Sequence, residues 1–177
     1  MEGSPPDSLV LGVDPGLQVT GYALVYREGG QLRIREAGVL RTRRQHPLEQ
    51  RLAELHRGIR EVIEHFRPSV LALENLYSHY QRPQTAILMG HARGVICLAA
   101  AQTPIPLAHY AATQVKKLLT GNGHAPKRQI QEAIQREFGL PTAPEPADVA
   151  DSLAIAVCHF HLSRLRPPPS RTGERLV

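Results

Sequence analysis

Five residues near the start of the chain, Leu9-Val10-Leu11-Gly12-Val13, carry no polar side chain. A strand that is apolar at every position has no solvent face, so its sheet needs packing layers on both sides. The run stops at Asp14-Pro15-Gly16, a turn signal. Two more strand-like stretches follow, Thr20 to Tyr26 and Leu32 to Leu40, separated by Glu28-Gly29-Gly30. The pattern predicts an antiparallel meander of three strands.

The period then changes. Leu48, Leu52, Leu55, Ile59, Ile63 and Phe66 fall at helical spacing with charges between them, and Pro68 closes that helix. Val70 to Leu73 reads as a second buried strand ending in Glu74. A long helix from about Pro83 to Ala100 follows, apolar on most sides, and Pro104 to Leu107 suggests a short strand. Helices are expected near Ala111 to Leu119, from Pro126 to Phe138 and from about Ala147 to Arg164, with loops at Gly121 to Ala125 and Pro141 to Pro146. Three antiparallel strands followed by alternating helix and strand describe an α/β domain with a mixed sheet.

A chain of 177 residues fits one compact domain. Residues 1–8 read as a flexible leader, 9–165 as the folded domain, and 166–177 as a polar, proline-rich tail without apolar period. No signal-peptide pattern opens the chain, and the longest apolar run, Val95 to Ala101, is too short to span a bilayer. The expectation is a soluble cytoplasmic protein with no membrane partner. Cys97 and Cys158 sit in apolar stretches and form no C-x-x-C pair, which predicts buried, reduced thiols. Lys and Arg total 21 against 16 Asp and Glu, an excess that favours a polyanionic partner through displacement of phosphate counterions.

Four acids stand out by position. Asp14 ends the first apolar strand and Glu74 the second, while Asp148 and Asp151 are three apart and share a face of the last helix. A carboxylate at the end of a buried strand is costly unless something pairs with it. Clustered carboxylates suit hard divalent cations, and four converging from two strands and a helix are enough for two ions acting on a phosphodiester. Each acid also has a plainer reading: Asp14 as a turn residue, Glu74 as a solvated strand end, Asp148 as a helix cap with Asp151 in the first turn.

The segments LVLGVDPGLQVTGYALV, LALENLY, GHARGVICLAA, HYAATQVKKLLTGNGHAPKRQIQ and PADVADSLAIAVCH resemble, in order, the blocks of the RuvC family of Holliday-junction resolvases, from Leu9 to His161. The resemblance implies a ribonuclease H-like fold: a mixed five-stranded sheet flanked by helices. It implies Asp14, Glu74, Asp148 and Asp151 as metal-binding catalytic acids, served by Mg2+ or Mn2+, two ions per site. It further implies a homodimer that nicks two strands of like polarity across four-way junction DNA, leaving 5′-phosphates. A junction-binding and branch-migration complex is the expected partner.

Basic residues Lys116, Lys117, Lys127 and Arg128 surround the GNGHAP loop. Its glycines permit close backbone approach, and the spacing does not match a nucleotide-binding P-loop. The resemblance matches Lys116 and Lys127 to lysines that contact DNA. Tyr77 stands in a polar stretch after Glu74, a candidate for stacking on an exposed base. Arg93 serves either packing or DNA. Ala86, Gly90 and Gly94 form a small-residue stripe that suits close approach to the sheet or to a partner helix. His124 is the one histidine expected near DNA; His109, His159 and His161 are expected to be structural or on the surface. Two other functions fit the same pattern: a non-catalytic junction-binding module with structural acids, and a ribonuclease H-like nuclease acting on RNA.

Overall fold

The structure is a computed structural model that describes residues 8–76 and 83–163. Strands β1 (Val10–Asp14), β2 (Val19–Glu28) and β3 (Gln31–Arg41) form the expected meander. Helix α1 (Leu48–Phe66) leads to β4 (Val70–Asn75), then α2 (Pro83–Gln102) to β5 (Leu107–Ala111). Helices α3 (Ala112–Thr120), α4 (Lys127–Phe138) and α5 (Ala147–Ser163) complete the described chain. The sheet order is β3-β2-β1-β4-β5; β1 is antiparallel to β2 and parallel to β4, and β5 is parallel to β4.

The central strands are buried on both faces, as the unbroken apolar run required. Leu11, Val13, Leu71 and Leu73 point to a core shared with Leu55, Ile59 and Ile63 of α1 and Ile96 of α2. Val10 and Ala72 point the other way, into a core with Val115 of α3, Ile134 of α4 and most of α5. Because side chains alternate along a strand, this assigns even-numbered positions of β1 and β4 to the α5 face. Ten residues of α5 are buried, which explains why its sequence is apolar nearly all round.

Two glycines seat α5. A Cβ on Gly12 of β1 would lie 2.3 Å from the Ser152 carbonyl oxygen, and one on Gly21 of β2 would lie 2.0 Å from that of Asp148. Helix backbone therefore rests directly on strand backbone, closer than any side chain permits.

The fifth strand is displaced from the expected Pro104 to Leu107. Pairing with β4 starts at Leu71↔Leu107 and runs to Asn75↔Ala111. The physical reason is the two prolines, which have no N–H for the ladder. The Ile105 amide instead bonds back to Ala100 O, and Pro106 contributes only its carbonyl, accepting from the Leu71 amide at 2.9 Å. Cys158 is buried as expected, whereas Cys97 is only half-buried; both are free thiols. No helix among the described residues is long and apolar enough to cross a membrane.

Candidate active site

The two strand-end acids meet through register. The parallel pairing of β1 and β4 runs from Val10↔Val70 to Val13↔Leu73. One step further along, Asp14 and Glu74 stand side by side, both at even positions and so both on the α5 face. The first turn of α5 lies over this same end of the sheet, because Asp148 backbone packs on Gly21 and Gly21 pairs with Asp14. Asp148 and Asp151 arrive with it. Acids from three separate segments of the chain thus share one end of the sheet.

Their electrostatics record the crowding. Burial raises the Asp14 carboxyl to about 8, helped by the charges of Glu74, Asp151 and Asp148 and opposed by Lys127. Glu74 is raised to about 7, first by burial and then by Asp151, with Lys116 and Lys127 opposing. Asp151 is also raised by burial, against the pull of Lys127. At neutral pH Asp14 therefore holds its proton unless a further positive charge is supplied. The Lys127 ammonium lies 3.3 Å from Asp151 Oδ2, and its own pKa is raised mainly by Asp151.

The donor set fits a hard divalent cation: oxygen donors only, desolvated and mutually repelling, a state that bound positive charge relieves. Among the described residues, no three His, Cys, Asp or Glu side chains stand, as placed, close enough together to hold a metal ion.

The loop after Asp14 is braced from three directions. The Thr20 hydroxyl donates to Gly16 O at 2.5 Å and accepts from the Gly16 amide. Buried Thr42, just beyond β3, donates its hydroxyl to Leu17 O at 2.5 Å. Arg51 of α1 donates Nε to the Thr42 hydroxyl and Nη2 to Leu17 O. Sequence inspection missed Thr20, Thr42 and Arg51. The T-G-Y block did contain Thr20, but no local pattern marks Thr42 or Arg51, whose partners lie 25 and 34 residues away.

The basic residues divide into separate groups. Half-buried Lys116 in the middle of α3 acts on Glu74 and Asp151, while Lys117 next to it faces solvent. Lys127 adjoins the acids, but Arg128 is exposed and pairs with Glu132 one turn along α4. Arg93 donates to Glu74 O, Asn75 Oδ1 and His109 Nδ1, so it ties α2 and β5 to the end of β4. His124 is exposed, its amide bonded to Asn122 Oδ1. His159 bonds the Tyr110 hydroxyl at 2.9 Å, a structural role as expected. Tyr77 lies outside the described residues.

Comparison with known proteins identifies relatives that match over most of the chain. The family model described as crossover junction endodeoxyribonuclease RuvC matches residues 10–159. A protein of that name from Rhodopirellula baltica is 56% identical over 156 residues, 88% of each chain. Its counterpart from Moorella thermoacetica is 45% identical over 167 residues, covering 94% of this chain and 99% of its own. Among solved structures, T. thermophilus RuvC in complex with Holliday junction substrate superposes with a TM-score of 0.82. It is 33% identical, over 89% of this chain and 96% of that one.

Proposed function

Because the chain belongs to the RuvC family of crossover junction endodeoxyribonucleases, we propose that it resolves four-way DNA junctions by hydrolysing phosphodiester bonds. The observation that carries this reading is the meeting of Asp14 and Glu74, on adjacent parallel strands of a ribonuclease H-like sheet, beneath the acids of α5. The enzyme is divalent-metal dependent, as its family is. The finer assignment is Mg2+ or Mn2+, two ions, held by Asp14, Glu74, Asp148 and Asp151. Such ions, when bound, supply an activated water and stabilise the departing oxygen of an in-line displacement.

The chain's own residues prepare that reaction. Burial of Asp14 and Glu74 lowers the local dielectric and excludes bulk water from the reacting phosphate. Bracing by Thr20, Thr42 and Arg51 holds the loop that carries Asp14, so its carboxylate does not wander as charge accumulates. Lys116 and Lys127 draw the DNA backbone to the acids by neutralising phosphates. Lys117 and Arg128 extend that basic surface, and Tyr77 is assigned to stacking near the junction centre. Arg93 belongs to the same DNA-facing assignment, its guanidinium positioned at the end of β4 by Glu74 O, Asn75 Oδ1 and His109 Nδ1.

A homodimer cutting symmetrically is part of the same proposal, with paired nicks in strands of like polarity and 5′-phosphate ends. Its support is α2, where Ile87, Leu88 and Leu98 are 59%, 39% and 51% exposed. Among the described residues, a Cβ on Gly94 would meet nothing within 4 Å and one on Gly90 only Leu76 at 4.0 Å, so these two glycines do not press on the sheet. An apolar strip with open glycines suits a second copy of the helix. Residues 9–165 are taken as the catalytic domain, acting in the cytoplasm and handing junctions on from a branch-migration complex.

The test is cleavage of a synthetic four-way junction against a linear duplex of the same sequence, with Mg2+ or Mn2+ and with EDTA. The expected result is paired, metal-dependent nicks in the junction alone, lost in Asp14→Asn. Tight junction binding without cutting under any metal would return the four acids to a structural role, and preference for an RNA hybrid would change the substrate class.

A further inference from the structure

We propose that Arg44, with Arg51 behind it, forms a second phosphate-binding side of the active site, opposite Lys116 and Lys127. The inference rests on the resolvase reading and concerns how the cut strand is held.

The topology places the two basic groups on opposite flanks of the acids. The C-terminal ends of β3, β1, β4 and β5 all lie at one end of the sheet, since Asp14 pairs with Gly21, Gly21 with Val39, and Glu74 with Tyr110. Lys116 follows β5 at one margin, and Arg44 follows β3 at the other. Four interstrand steps of roughly 4.8 Å separate those margins, about 19 Å, with Asp14 and Glu74 in the middle. A strand advancing about 3.4 Å per nucleotide crosses that width in several nucleotides. Lysines on one flank alone would hold only half of it.

An open cleft of about 690 Å³ occupies the β3 flank. Its lining includes Gly16 and Gln18 of the Asp14 loop, Arg44, Arg51, Thr85 of α2 and the catalytic candidate Asp148. The cleft is thus continuous with the acid cluster. Arg44 is exposed and has no ion-pair or hydrogen-bond partner among the described residues. The nearby acid that would compensate it, Glu54, is engaged by the His46 ring and the Arg43 amide. Arg51 is half-buried, anchored to Thr42 and Leu17 O. Its guanidinium brings fixed positive charge to the cleft wall, while free Arg44 supplies the fork that grips a phosphate.

The experiment measures junction affinity of wild type, Arg44→Ala, Arg44→Glu and Lys116→Ala across a salt series in EDTA, followed by cleavage rates in Mg2+. Arg44 is exposed and makes no hydrogen bond or ion pair among the described residues, so its variants should fold normally, checked by an unchanged melting temperature. Arg44→Ala should weaken junction binding about 5- to 10-fold and flatten the plot of log affinity against log salt by about 0.9. Arg44→Glu should weaken it further. Lys116→Ala should act alongside, and combining it with Arg44→Ala should multiply the losses, because the contacts are independent. Arg44 variants that match wild type in affinity and slope, while wild type binds and cuts junctions, would overturn this inference alone. Wild-type protein that neither binds nor cuts would overturn the resolvase reading and this inference with it.

Discussion

The carboxylate cluster should make the metal-free protein less stable as pH rises. Asp14 titrates near 3.8 in an unfolded chain and near 8 in the folded one. Between those values the folded state binds more protons than the unfolded state, so stability falls with increasing pH. The penalty is absent below about pH 4, grows through neutrality and is complete above pH 8. A shift of that size corresponds to a ceiling of roughly 5–6 kcal/mol, at 1.36 kcal/mol per pH unit. Glu74 and Asp151 adjust their own protonation as Asp14 ionises, and Lys127 stays charged beside them, so about 3 kcal/mol is the expected realised value. Asp14→Asn removes the charge and keeps the shape. In EDTA at pH 8 the variant should melt about 6–12 °C above wild type, and the gap should narrow to about 2–4 °C near pH 4.5 and close towards pH 3. Mg2+ should raise the wild-type melting temperature more than that of the variant. A gap independent of pH, or a variant less stable than wild type at pH 8, would refute the claim that Asp14 is buried among like charges.

Gly21→Ala puts a methyl group where the Asp148 carbonyl stands, so α5 must lift. A loss of more than about 3 kcal/mol in urea unfolding is expected, with cleavage abolished. Thr42→Val removes a buried hydrogen bond behind the Asp14 loop. Turnover should fall about tenfold with junction affinity nearly unchanged, and an equal loss of both would argue against a positioning role. Lys116→Ala should weaken junction binding and lower its salt slope by about 0.9, whereas Lys117→Ala should have a smaller effect on the cleavage rate. Leu98→Glu, on the exposed strip of α2, should shift the protein from dimer to monomer by light scattering while leaving its melting curve cooperative.

Much of the candidate site was legible in the chain because it depends on strand ends. An apolar run that stops at a carboxylate announces where a buried strand meets solvent, and Asp14 and Glu74 both do so. Asp148 and Asp151 announced themselves by helical spacing. Local chemistry also marked the antiparallel meander, through Gly29-Gly30, and the end of α1, where Arg67 turns left-handed ahead of Pro68. The fifth strand was misplaced by three residues because an apolar stretch shows hydrophobicity, whereas the ladder needs N–H groups that Pro104 and Pro106 lack.

Other features exist only in three dimensions. Nothing along the chain says that Gly12 and Gly21 are bare so that α5 can lie on them; any strand glycine reads as a weak spot. Arg93 reads as a free cation until the fold surrounds it with Glu74 O, Asn75 and His109. The bracing of the Asp14 loop joins residues dozens of positions apart, and periodicity carries no information at that range. The sequence by itself determined the order of the elements, the bounds of most of them and the four candidate acids, because those follow from local burial and spacing. Only the tertiary structure decided which cations face the acids and which are held elsewhere, because side-chain partners are set by register and helix seating rather than by neighbours in the chain.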